Sequence, residues 1–189
     1  MEEGAACRRL KKALRERRKI VFIDESGLSE RPHRARTWAP RGHTLVLQYH
    51  FDWQTLSAIA GITVWRFYFR PYEGTIRKEE VVTFLRHLRR HVRGKLLIIW
   101  DRLKQHRSRL VKDYVASQRG AIEIEYLPAY APELNPVEYI WGYWKQHELP
   151  NLCARDLVEL GSFGRAALRR MRRRPALVAS FWKQAELSL

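Results

Sequence analysis

The apolar positions of this chain fall into runs of two kinds. Ile20 to Ile23, inside RKIVFIDES, form an unbroken stretch rich in branched residues, the pattern of a strand buried on both faces. The stretch gives way at Asp24-Glu25-Ser26-Gly27, where the strand is expected to end. KLLIIWD, over 95–101, repeats the pattern and also stops at an aspartate, Asp101. HTLVLQYH (43–50) reads as a second strand and TLSAIAGITV (55–64) as a third, with Gly61 marking a turn or bulge. WRFYFR alternates Trp65, Phe67 and Phe69 against Arg66, Tyr68 and Arg70, and PYEG supplies a turn. AIEIEYLP alternates as a half-buried strand does.

The other runs have helical spacing. Val81, Val82, Phe84, Leu85 and Leu88 make a stripe within a helix expected over 75–92, flanked by arginines and ended by Gly94. Leu110, Val111, Tyr114 and Val115 mark a second helix over 105–119, closed by Gly120. Asn135 is a good N-cap and Pro136 suits a first helical position, so a third helix opens at 136. Two more helices are expected over 162–173 and 176–187. Strands joined by hairpins run antiparallel, whereas β-α-β crossovers make parallel pairs. The expected architecture is therefore α/β, a mixed sheet with antiparallel early strands, parallel later strands and helices around it. One domain accommodates all 189 residues, with a basic segment over 1–19, the main body over 20–150, and 151–189 as a basic helical extension of that body.

Charge narrows the partner. Lys and Arg number 36 against 20 Asp and Glu, giving a formal net charge of +16. Residues 1–19 hold eight basic and three acidic side chains, residues 77–119 thirteen and four, and RAALRRMRRR (165–174) six and none. Three basic runs in one small chain favour a polyanion, with nucleic acid the leading candidate. Each neutralised duplex phosphate would steepen the salt dependence of binding by a slope of roughly −0.9. No apolar run is long enough to span a membrane, and the N-terminus lacks a secretory signal's apolar stretch. Cys7 and Cys153 form no pair pattern, which fits a reducing, cytoplasmic setting and inert thiols.

Against this basic background, three carboxylates invite a chemical role. Asp24 and Asp101 each end an apolar strand, and ligands gather beyond the C-terminal ends of such strands. Glu138 falls in the first turn of the helix that opens at Asn135-Pro136. N-x-x-E also matches a capping box, in which Glu138 would fold back onto the Asn135 amide. The competing role is a site for Mg²⁺ or Mn²⁺, whose hard charge suits oxygen ligands. Two such ions could stabilise the entering and leaving oxygens of a phosphoryl transfer.

FIDESG, RTWAPRG, IIWDRLKQH and LPAYAPELNPVEYIW together resemble the catalytic domain of mariner-like DDE transposases, in particular their bacterial insertion-sequence branch. The resemblance covers roughly residues 18–150 and implies an RNase H-like fold. It implies that Asp24, Asp101 and Glu138 are catalytic and bind a pair of divalent metal ions, Mg²⁺ or Mn²⁺. It further implies that water, and then a freed 3′-hydroxyl, attacks DNA phosphodiesters at the element's ends and at the target. Many relatives carry asparagine after the second aspartate, where this chain has Arg102. Relatives also carry a helix-turn-helix region ahead of the catalytic domain. Here only the basic segment 1–19 precedes the first strand, as expected of a split reading frame or a shortened copy. Such a region would then be separate or missing. Coupling two DNA ends suggests a homodimer, and the bacterial branch places the protein at the nucleoid. Arg36, Trp38, Arg41, Arg102, Lys104 and His106 are candidate DNA contacts by charge, stacking capacity and position. Two alternatives stay open: an inactive or repurposed fragment that binds DNA, and a different RNase H-like nuclease. His87 and His91 have i, i+4 zinc-ligand spacing but no glutamate base or third ligand nearby.

Overall fold

The computed structural model describes residue 13 and residues 15–44, 46–49, 55–128 and 132–185. Cys7 and most of the basic segment 1–19 lie outside the described residues. Five strands form one sheet, in the order β3-β2-β1-β4-β5. They are β1 (Lys19–Ser29), β2 (Thr55–Ile62), β3 (Phe67–Glu73), β4 (Leu96–Trp100) and β5 (Ile122–Tyr126). β3, β2 and β1 pair antiparallel, whereas β1, β4 and β5 pair parallel. The mixed sheet expected from the connection lengths is the one observed.

Alternation along β1 divides the interior. Ile20 and Phe22 point to one face with Leu97 and Ile99. That face packs under α3 (Pro136–Tyr143), α4 (Leu157–Arg172) and α5 (Pro175–Gln184), through residues that include Val137, Ile140, Trp141, Leu168 and Phe181. Val21 and Ile23 point to the other face with Leu96, Ile98 and Trp100. α1 (Lys78–His91) covers it with Val81, Phe84, Leu85 and Leu88, and α2 (Arg109–Ser117) adds Val111. Each large side chain fully buried in these layers contributes roughly 1.5–3 kcal/mol.

Several boundaries differ from expectation, each for a local reason. β1 does not stop at Asp24, because its second half pairs with β2 as far as Ser29 opposite Thr55. The described part of 43–50 forms no strand and is largely exposed. β3 runs through Pro71, opposite Ala58, and the turn waits for Gly74 at φ +72°. An edge strand tolerates proline because its missing N–H can face away from the ladder. α1 starts at Lys78, three residues later than expected, where the Arg77 N–H donates to the Glu80 carboxylate at 2.9 Å. α2 starts at Arg109, once Ser108 accepts from the Val111 N–H. α4 starts five residues early, because Asp156 caps it by accepting from the Glu159 N–H at 2.7 Å. Gly161 and Gly164 then lie inside α4, where packing against Leu56 and Trp144 outweighs their weak helix propensity.

Gly61 is neither a turn nor a bulge. It pairs in register with Ile23 and Tyr68. A Cβ there would stand 3.2 Å from Val21 Cγ1 and 3.4 Å from both Ile23 Cγ1 and Phe84 Cε1. Glycine fits here because Val21 and Ile23 of β1, together with Phe84 of α1, crowd the position. Gly61→Ala is accordingly expected to destabilise the fold by about 1–3 kcal/mol through overpacking, measurable by urea denaturation.

Candidate active site

Parallel pairing of β1 with β4 ends at Phe22 opposite Ile99. Asp24, on β1, and Asp101, just past the end of β4, each lie two residues beyond those positions. Asp24 shares the face of Ile20 and Phe22, the face under α3, and is only 8% exposed. Its Oδ2 accepts a 2.9 Å hydrogen bond from the indole N–H of Trp141. Trp141 lies three residues after Glu138 on α3, so this bond ties the helix to β1. Trp141 is also a core residue, 3% exposed. The added signal, an indole N–H needing a buried acceptor, becomes visible only in the folded arrangement.

The start of α3 decides what Glu138 does. Asn135 accepts from the Val137 N–H at 3.2 Å, as an N-cap should. The Asn135 N–H itself donates to the Pro132 carbonyl at 2.9 Å, across a short 3₁₀ turn (Pro132–Leu134). The donor that a capping box requires is therefore taken, and Glu138 does not fold back. Its carboxyl is raised above the usual range by partial desolvation, opposed by the charge of Lys145 and reinforced by that of Asp101.

Asp101 is held from behind. Its Oδ1 lies 2.7 Å from His106 Nδ1 and accepts from the Leu103 N–H at 3.0 Å. Those bonds outweigh desolvation, and its carboxyl sits below the usual range. Asp24 is shifted the opposite way. Burial pushes its carboxyl well up, and the charges of Glu138, Glu25 and Asp101 add to that, against the Trp141 hydrogen bond. Glu138 and Asp101 thus act on the same buried carboxyl. Among the described residues, hydrogen bonds reach only Oδ2 of Asp24 and only Oδ1 of Asp101. One oxygen of each aspartate carries no bond from these residues.

Lys145 is a site residue that sequence reasoning missed. It lies in a π-helical turn (Trp144–Glu148) that continues α3. Burial lowers its ammonium, while the charges of Glu138 and Asp24 hold it up. Glu138 and Lys145 are seven residues apart, two turns of one helix face, and that spacing was the available signal.

The expected DNA-contact residues separate into two groups. Arg36, Trp38, Arg41, Arg102 and Lys104 are exposed, Trp38 at 99%. His106 is fully buried, so its ring is not available to DNA. It stacks on Trp100 with centroids 4.3 Å apart and bonds to Glu25 as well as Asp101. Glu25 is a second residue that sequence reasoning passed over. His87 and His91 lie against each other along α1 with centroids 4.2 Å apart and rings tilted by 42°, and Nδ1 of His91 bonds the backbone carbonyl of His87. Among the described residues, no three His, Cys, Asp or Glu side chains stand close enough together to hold an ion as they are placed.

The fold agrees with what known proteins show. A family model described as DDE superfamily endonuclease matches residues 19–160. The chain belongs to the DDE superfamily endonucleases. The family is the one that the sequence motifs resemble. Among solved structures, the Mos1 mariner paired end complex with Mn superposes with a TM-score of 0.64 at 17% identity, over 89% of this chain and 53% of that one. The Mos1 strand transfer complex gives 0.59 at 16% identity, over 99% and 60%. The catalytic domain of Mos1 mariner transposase gives 0.56 at 13% identity, over 95% and 90%. At such identities the likeness is one of fold, that of RNase H-like transposase catalytic domains. The DDE endonuclease spans about half of the chain in the paired end complex, at 53%. No protein of curated function matches its sequence. No helix among its described residues is long and apolar enough to cross a membrane.

Proposed function

We propose that this DDE endonuclease cleaves DNA strands at the ends of an insertion sequence and joins them to target DNA, with Asp24, Asp101 and Glu138 as its catalytic carboxylates. The observation that carries this reading is the convergence of their charges, with one oxygen of each aspartate left without a hydrogen bond from the described residues. A buried carboxylate repelled by three others is costly in a chain otherwise so basic. Divalent cations compensate such a cluster, and these hard oxygens fit Mg²⁺ or Mn²⁺. When bound, the metal would supply Lewis-acid stabilisation of phosphoryl oxygens.

The protein's own residues supply the rest. Trp141 holds one oxygen of Asp24 and His106 holds one oxygen of Asp101, so the remaining oxygens are oriented before any ligand arrives. Glu138 projects from a capped helix start that does not consume its carboxylate. Lys145, next to these charges, offers a cation for a DNA phosphate. Exposed Arg36, Arg41, Arg102 and Lys104 contact the backbone, and Trp38 stacks on an unpaired base. The C-terminal helices α4 and α5 complete the domain by covering the α3 face of the sheet. Recognition of element ends falls to a helix-turn-helix region, in the same or a separate chain, and two copies together hold two ends.

Mn²⁺ titration tests the site without DNA. At a hundredfold excess over its dissociation constant, a ligand of the native state adds about 2.7 kcal/mol. For a chain of this size the melting temperature should rise by roughly 5–10 °C. Cleavage of terminal-repeat DNA in Mn²⁺, with the recognition region supplied, tests the activity. DNA binding with neither a melting shift nor cleavage would instead identify a fragment that grips DNA passively.

A further inference from the structure

Adjacent residues of a strand point to opposite faces. Asp24 faces α3, while Glu25 points with Val21 and Ile23 toward the α1–α2 side. There Glu25 Oε1 lies 2.8 Å from His106 Nε2. The other nitrogen of the same ring lies 2.7 Å from Asp101 Oδ1. His106 is flush against Trp100, with ring planes 4° apart, and has no exposed surface. A ring held by a stacking plate and two carboxylates has one orientation open to it.

This arrangement is expensive to keep as mere packing. Among the described residues, Glu25 Oε2 is shielded and accepts no hydrogen bond, and the indole N–H of Trp100 donates none. Unmade hydrogen bonds of buried groups cost about 1–3 kcal/mol each. An apolar side chain on β1 would avoid the cost at Glu25. What the carboxylate provides is an acceptor on the far side of His106, which fixes the ring and so aims Nδ1–H at Asp101. Without it the ring could tilt, and Asp101 Oδ1 would lose the shorter of its two bonds, keeping only the one from the Leu103 N–H.

We propose that Glu25 is a positioning residue, acting through His106 to hold Asp101 in its metal-binding orientation. β1 then serves both aspartates, Asp24 directly and Asp101 by way of the neighbouring side chain. The inference rests on the metal-site reading given above, and it assigns Glu25 no contact with metal or DNA. Residues that orient ligands from behind typically alter metal affinity by about 10–100-fold when replaced.

The experiment is Mn²⁺ binding to the full chain without DNA, followed by the electron paramagnetic resonance of free Mn²⁺. Wild type is compared with Glu25→Gln, Glu25→Asp and Asp24→Asn, each confirmed folded by circular dichroism. Glu25→Gln keeps the size but weakens the acceptor, and Glu25→Asp keeps the charge but withdraws it from the ring. Both are expected to raise the Mn²⁺ dissociation constant by about 10–100-fold. Metal-free DNA affinity should stay unchanged, which a general loss of structure would not permit. If wild type binds Mn²⁺, Asp24→Asn abolishes it and folded Glu25 variants bind as wild type does, the positioning role is overturned and the metal site stands. If Asp24→Asn binds as wild type does, or wild type binds none, the metal-site reading fails and this inference goes with it.

Discussion

Asp24→Asn is expected to abolish DNA cleavage and, in the same protein, to raise the melting temperature measured without metal. The two effects have one source. The Asp24 carboxyl is buried and raised well above its usual range, first by desolvation and then by Glu138, Glu25 and Asp101. An acid whose folded pKa lies above its unfolded value costs stability once the pH exceeds both. That cost grows as the pH rises above 3.8 and is complete once the pH has passed the folded value. Asparagine removes the charge and leaves a carbonyl oxygen to accept from the Trp141 indole. The metal-free fold therefore gains. Catalysis loses a ligand that contributes several kcal/mol of charge stabilisation, so turnover should fall by roughly 10³-fold or more. Metal-free DNA affinity should hold or increase, because one negative charge has left the site. Differential scanning calorimetry in EDTA and a cleavage assay in Mn²⁺ read the two effects separately. A variant that cleaves at the wild-type rate would remove Asp24 from the mechanism. An unchanged melting temperature would show that the carboxylate cluster is not strained without metal.

That a carboxylate can destabilise its own fold explains which features the sequence revealed. The strands around Ile20–Ile23 and Leu96–Trp100 were legible because burial on both faces demands unbroken apolar runs. α3 was legible because Asn135-Pro136 carries a start signal of its own. Asp24 and Asp101 stood out as charges interrupting such runs. Boundaries set by long-range partners were not legible. Nothing local says that β1 continues past Asp24, since its second half exists only because β2 pairs with it. HTLVLQYH looked like a strand by composition, yet no neighbouring strand pairs with its described residues. The back of the site was hidden for the same reason. Glu25 and His106 are 81 residues apart, and their bond emerges only when β1 and β4 lie side by side. His106 could be noticed from its distance to Asp101, but not that it faces inward.

His106→Ala should be the most destabilising single substitution at the site. Truncation removes both hydrogen bonds, unstacks Trp100 and strips Glu25 Oε1 of its partner, beside an Oε2 that has no donor among the described residues. Removing one partner of a buried pair costs about 3–5 kcal/mol. The melting temperature should fall by roughly 10 °C or more. A double-mutant cycle separates charge from packing. Glu25→Gln alone is expected to destabilise, because it weakens the bond to His106. In the His106→Ala background the same change should stabilise, because it removes the stranded charge. The reversal of sign is specific to a charge pair; two independent packing losses would add. The pH dependence of the metal-free wild type gives a further reading. Desolvation opposes protonation of His106, but the bonds to Asp101 and Glu25 prevail and raise it from 6.5 to about 9. Its contribution is fully present below pH 6.5 and is lost as the pH climbs through 9. At 1.36 kcal/mol per unit, that is about 3 kcal/mol, and it should vanish in His106→Ala. Urea melts between pH 6 and 10 would show it, and parallel curves for the two proteins would mean that His106 is neutral in the fold and that the link from Glu25 to Asp101 is an ordinary hydrogen bond.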